Sequence, residues 1–139
     1  GYNVNASYRV ASPSGNSMGG FGTQWSAGHS SPTSGSGNVA YTYLPYIHDA
    51  GASCGQNFVN SGTAGTLDGV SIVGGHEYSE AETDPFPRSG WADSGGAENA
   101  DKCAWITPGT PGGSHNLVLS TGTFAIQTTW SNAIRGRAG

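Results

Sequence analysis

The sequence predicts an α+β domain in which a small, mostly antiparallel sheet carries one main helix and a second short helix, joined by long loops rich in glycine and serine. Three observations lead there. Apolar residues alternate with period two at Tyr2, Val4, Tyr8 and Val10 and again through Val39–Leu44, the pattern of half-buried strands. One stretch, Asp68 to Asp84, is long enough for a helix and spaces Val70, Val73, Glu77, Glu80 and Asp84 three or four apart, which stacks them on one face. Glycine supplies 24 of 139 residues, so turns are frequent and continuous helix is scarce.

Taken in order, residues 2–10 read as a strand. Residues 12–36 hold Pro13, Gly15, Gly19, Gly20, Gly22, Gly28, Pro32 and Gly35 and read as a long excursion pinned by Phe21 and Trp25. A loop of that length in a small domain is commonly functional, and it is kept as a wall of a binding cleft. Residues 39–44 form a second strand, ended by Pro45. Asp68 is a good N-cap, its carboxylate accepting from an early free N–H of the helix, and Pro85 and Pro87 stop that helix. Gly74 and Gly75 weaken it just before His76, which suggests close approach of another backbone. Residues 97–105 predict a short helix bearing Glu98 and Asp101, and 116–120 with 123–130 predict a hairpin around Thr121-Gly122. Neither an internal repeat nor a domain boundary is visible, so residues 1–139 are read as one domain. Its strand-like ends are those expected of a C-terminal or processed part of a longer secreted precursor.

Composition narrows the setting. Charged residues are 10% of the chain, against about 25% in typical soluble domains, so the surface is built from Ser, Thr, Asn, Gln and Gly, as in many extracellular proteins. Four Trp, six Tyr and four Phe supply a core that disordered chains lack. A net charge of -4 with a single lysine, Lys102, disfavours nucleic acid, and no apolar run reaches the length of a membrane span. In an exported chain Cys54 and Cys103 are expected to pair, a loop closure worth about 4 kcal/mol in the chain-entropy model. Two buried thiols are the alternative.

Chemistry concentrates in one region. Glu77, Glu80, Glu82, Asp84, Asp93, Glu98 and Asp101 make seven of the nine acidic residues, and Arg88 is the only base between positions 77 and 101. Such crowding is relieved by solvation, by raised pKa values or by a cation. His76 and Glu80 stand at i and i+4, on one helix face, and Glu77 falls where the general base of His-Glu-x-x-His zinc enzymes stands. Glu98, 18 residues beyond Glu80, is the expected third ligand, and Asp101 is expected to fix the tautomer of His76, with Asp84 nearby in support. Zinc held by His76, Glu80 and Glu98 would activate a water, Glu77 would take its proton, and His115 and Tyr78 are the candidate oxyanion donors. Glu80 replaces the second histidine of the usual motif, making the set more anionic and more accommodating of calcium or manganese. A plain i,i+4 hydrogen bond on a solvated face and a calcium site without a reaction are the competing readings.

The run from Gly75 to Pro85, with Gly90-Trp91-Ala92-Asp93 and Gly96-Ala97-Glu98-Asn99-Ala100-Asp101-Lys102-Cys103-Ala104-Trp105, resembles a group of secreted bacterial proteins. They are similar in turn to the plant phosphate-induced, Exordium-like cell-wall proteins, whose pattern is His-Glu-x-x-Glu, then Trp, then Glu-x-x-Asp-x-Cys. The resemblance continues through Asp49–Val59 and Ser131-Asn132, covering most of the chain from about residue 40. Members are longer at the N-terminus, and a cysteine expected near Trp25 is absent here. The resemblance implies that His76, Glu80, Glu98 and Asp101 belong to one shared feature, and it leaves the activity open.

The remaining candidates are weaker. His29, among Ser and Gly, is expected to be solvent-exposed. His48 beside Asp49 is weighed as a catalytic pair and set aside. The tryptophans are expected in the core rather than on a sugar-stacking platform. Asn5-Ala6-Ser7 is a glycosylation sequon, relevant in a eukaryotic secretory host. The expectation is therefore a secreted, zinc-dependent, zincin-like peptidase or peptidase-like protein acting on extracellular protein. The alternative is a non-catalytic module that binds cell-wall polymer or assembles with partners around a structural zinc or calcium ion.

Overall fold

The computed structural model describes residues 2–3, 5–35 and 37–138; Val4 of the predicted first strand and Ser36 of the predicted loop lie outside them. The fold is α+β; the described residues form one α-helix, α1 (Asp68–Thr83), short 3-10 segments and nine short strands in several small sheets. Among the described residues no helix is long and apolar enough to cross a membrane.

The sheet that matters for the cleft has three strands, β1 (Tyr8–Ala11), β2 (Gly28–Ser30) and β5 (Tyr41–Leu44), in the order β1-β5-β2. β5 runs parallel to β1 and antiparallel to β2. The first strand is thus shorter than residues 2–10, and Tyr2 stacks on Tyr8 at 6.5 Å. Within the excursion predicted as loop, β2 supplies the second edge of the sheet and β3 (Thr33–Ser34) pairs with β4 (Gly37–Asn38). Backbone pairing, absent from any local hydrophobic pattern, orders this polar segment.

α1 packs on that sheet and on the 3-10 segment Ile47–Cys54, burying Ile47, Cys54 and Val73 against Phe21, Leu44 and Val70. The helix begins differently from the prediction. Leu67 occupies the N-cap without a side-chain bond. The Asp68 carboxylate instead accepts from the backbone of Val59 (2.8 Å) and Asn60 (2.6 Å) and from Asn60 Nδ2 (2.8 Å), tying the incoming loop to the helix. The close backbone approach also falls elsewhere: a Cβ on Gly69 would lie 2.0 Å from the Cys54 carbonyl oxygen, whereas one on Gly74 would meet Leu44 at 3.7 Å and one on Gly75 would meet nothing within 4 Å.

At the other end Asp84 leaves helical geometry. Its buried carboxylate accepts from the backbone N–H groups of Arg88 (2.7 Å), Ser89 (3.1 Å) and Gly90 (2.7 Å). Asp84 therefore closes the turn after the helix and does not support His76. The predicted second helix is a single 3-10 turn, Asp101–Cys103, with Glu98 preceding it. A hairpin follows, β6 (His115–Leu119) and β7 (Gly122–Ile126), turning at Ser120-Thr121. β8 (Thr129–Ser131) is a separate strand paired with β9 (Gly136–Ala138).

The expected disulfide is absent: Cys54 and Cys103 are both free and buried. Cys54 ends the 3-10 segment under α1, with its sulfur against the Ser26 hydroxyl, while Cys103 ends the later 3-10 turn, which packs on β8. Burial and hydrogen bonding do the tethering assigned to the bond. The Glu98–Cys103 segment is held to α1 by Asn99 Nδ2 donating to the Ser79 carbonyl (3.4 Å) and the Asp101 N–H donating to Glu80 Oε1 (3.2 Å).

Candidate metal centre

The helix supplies the first wall of a cleft of about 570 Å³. His76 and Glu80 are one turn apart, with His76 Nε2 3.0 Å from Glu80 Oε1. Asp101 Oδ1 stands 3.5 Å from the same nitrogen, so Asp101 shares the ligating side of the ring and does not orient it. Orientation comes from Gln127, in the connection between β7 and β8. Its Nε2 donates to the carbonyls of Ala100 (2.9 Å) and Thr128 (3.2 Å), which leaves its Oε1 to accept from His76 Nδ1 at 3.1 Å. A neutral His76 is thereby held with its proton on Nδ1 and a lone pair on Nε2, directed at carboxylate oxygens. Such an arrangement calls for a proton or a cation between them.

The opposite wall holds a residue the sequence reading misplaced. His29 is not solvent-exposed: its side chain is 5% accessible and lies inside the acidic cluster. Strand register puts it there. His29 pairs with Thr42 across β2 and β5, so the two side chains share a face; Leu44, two residues on, meets α1 at Gly74. The face carrying Thr42 and His29 is therefore the one turned to the helix. His29 Nδ1 lies 3.4 Å from Glu77 Oε2 and 3.5 Å from Glu80 Oε2, and its Nε2 lies 3.5 Å from Glu98 Oε1. That Nε2 and that Oε1 are both buried without a hydrogen-bond partner.

The triad read from the sequence, His76, Glu80 and Glu98, is consequently divided between two sets that meet at Glu80. His76, Glu80 and Asp101 form one, His29, Glu80 and Glu98 the other, and within each the ligand atoms lie within 4.8 Å of one another. One imidazole with two carboxylates is a donor set that fits zinc or manganese. Glu77 is buried on the cleft wall, in reach of His29.

The electrostatics record how tightly these groups are coupled. Burial pushes the Glu80 carboxyl up, but hydrogen bonds from His29 and His76 outweigh it and hold the pKa at about 2. Hydrogen bonds to Glu77 and Glu80 raise His29 to about 10. Desolvation opposes the charge on His76, yet Glu80 and Glu77 lift it to about 9. Burial and the Glu80 charge push Glu98 up to about 7.

The other predicted residues lie elsewhere. Tyr78 points away from the cleft, under the Arg9 guanidinium, 5.0 Å above its ring, and its hydrogen bond with Glu82 raises its pKa. His115 opens β6 and faces the Gly113 carbonyl at 3.2 Å in a separate depression. Neither supplies an oxyanion donor. The Asp49 carboxylate accepts from the Ser14 hydroxyl and the Gly15 N–H, both at 2.7 Å, so it is committed to the loop rather than to His48. Gly15-Asn16-Ser17-Met18-Gly19 has the spacing of a nucleophile elbow, but no helix follows it as that motif requires. Lys102 is drawn to Asp93 at 2.6 Å and over the Trp130 ring. None of the four tryptophans is buried as expected: Trp25, Trp91 and Trp130 are half-buried, Trp25 and Trp105 line the cleft, and Trp105 is 43% exposed.

Comparison with family models, with curated proteins and with solved structures finds no match to this chain.

Proposed function

We propose that this chain is an extracellular metal-dependent hydrolase of the peptidase type, with its cation at His76 Nε2, Glu80 and Asp101 and its general base at Glu77. The observation that carries the reading is the Gln127 bond, because it presents the His76 Nε2 lone pair to the cleft. When bound there, zinc would lower the pKa of a water and polarise a substrate carbonyl. Glu77, one residue along the helix from His76, is the carboxylate available to take the water's proton and return it to the leaving amine. His29, beside Glu77, orients that carboxylate. The extracellular setting rests on the weakly charged composition and on the resemblance to secreted Exordium-like proteins.

A second reading is favoured by one observation: Tyr78 and His115 both lie outside the cleft, so the residues expected to stabilise an oxyanion are not there. On that reading the cation is structural and the half-exposed Trp105 serves polymer binding. Elemental analysis and casein hydrolysis separate the two. The hydrolase reading expects stoichiometric metal and a Glu77→Gln variant that keeps it while losing about 10²–10⁴ in rate. Metal without hydrolysis by the unaltered chain supports the structural ion, and no bound metal defeats both.

A further inference from the structure

We propose a second divalent-cation position in the same cleft, at His29 Nε2 and Glu98, with the Glu80 carboxylate bridging it to the cation at His76. The inference rests on the reading that His76 and Glu80 hold a cation.

The geometry around Glu80 is divided. Its Oε1 lies 3.0 Å from His76 Nε2, and its Oε2 lies on the His29 side, 3.5 Å from Nδ1, within a set whose ligand atoms on His29, Glu80 and Glu98 are all within 4.8 Å of one another. On the His29 side, the ring is more than nine-tenths buried and its Nε2 has no hydrogen-bond partner. It faces Glu98 Oε1, itself buried and unbonded, across 3.5 Å. Two orphaned polar atoms aimed at each other in a buried setting are costly unless something joins them.

The chemistry of the position follows. Glu77 Oε2 stands 3.4 Å from His29 Nδ1, so the proton of a neutral His29 sits on Nδ1 toward Glu77, leaving Glu80 Oε2 free for the cation and the Nε2 lone pair facing Glu98. Imidazole with two carboxylates suits Zn²⁺ or Mn²⁺ better than Ca²⁺, which prefers an all-oxygen shell. Pairs of metal ions about 3.5–4 Å apart clamp both the attacking and the leaving oxygen in many hydrolases. Glu80 is the residue here that joins both sets.

Titration of the metal-free chain with Zn²⁺, followed by elemental analysis after gel filtration, counts the sites. The expected result is two equivalents for the unaltered chain, one for His29→Asn, one for His76→Asn, and none for Glu80→Gln. Mn²⁺ loading should give a spin-coupled electron paramagnetic resonance spectrum that reverts to isolated ions in His29→Asn. Saturation at one equivalent that survives His29→Asn and disappears in His76→Asn overturns the second position and leaves the first intact. Saturation at zero overturns both. Far-UV circular dichroism checks each variant's fold, and Glu98→Gln replaces His29→Asn if the latter unfolds, with the same loss of one equivalent expected.

Discussion

The two walls of the cleft present equivalent chemistry by opposite means. On the α1 wall, His76 and Glu80 are adjacent because a helix makes residues four apart neighbours, and the contact holds wherever the helix forms. On the β2 wall, His29 reaches the same carboxylate from 51 positions away in sequence through the three residue pairs that β2 makes with β5. The first wall is a local consequence of the chain and the second a tertiary one. They should therefore respond differently to substitutions in the scaffold.

The largest effect is expected from Ile72→Ala, which empties a fully buried position on α1. It should cost about 2–5 kcal/mol in chemical denaturation and loosen both walls together, since β2 and β5 pack on the same helix. Gln127→Leu tests the walls separately. Loss of the bond to His76 Nδ1 should weaken the His76 cation by about 10–100-fold, read by chelator competition. Nitrogen chemical shifts recorded above pH 9, where the His76 ring is neutral, should show His76 no longer confined to one tautomer and His29 unchanged.

A pH series on the metal-free chain sharpens the comparison further. His29 and His76 have folded pKa values of about 10 and 9, above an ordinary value near 6.5. The stability they contribute is fully present below about pH 6.5 and is lost as pH rises through 9 to 10. Glu98, raised to about 7, contributes below its ordinary value and loses that contribution as pH rises through 7. Glu80, held at about 2, behaves oppositely: its contribution is present above about pH 4.5 and is lost as pH falls through 2. The melting temperature of metal-free protein should thus decline from pH 7 to 10, less steeply in His29→Asn.

The smallest effect belongs to the scaffold beneath His29. Thr42 is buried with an unbonded hydroxyl, so Thr42→Val should be neutral or stabilising by up to about 1 kcal/mol. Thermal melts would show it, and metal stoichiometry should not change.

Legibility in the sequence followed the range of each interaction. The helix, its stop at Pro85 and the strand at Tyr41–Leu44 were readable from periodicity and breakers. The helix start at Asp68 was readable too, but not the role of its side chain, because a carboxylate there can serve a preceding loop as readily as a helix end, and burial beside Asn60 chose the loop. Glu98 and Asp101 fit helical spacing, but the segment is satisfied as a turn: Asn99 Nδ2 donates to the Ser79 carbonyl, the Asp101 N–H to the Glu80 carboxylate, and the Trp130 N–H to the Asn99 carbonyl. His29 carried one weak signal, an imidazole in an excursion already suspected of forming a cleft wall.

By itself the sequence determined that His76, Glu77 and Glu80 would lie along one helix amid excess negative charge, since helical geometry and charge density are local properties. Tertiary structure alone decided how Glu80 is shared, because strand register turns His29 inward, the segment after Asp84 swings Glu98 and Asp101 to opposite sides of that carboxylate, and Gln127 fixes the ring of His76 from a strand connection. Those contacts join residues 18 to 51 positions apart, and no periodicity encodes them.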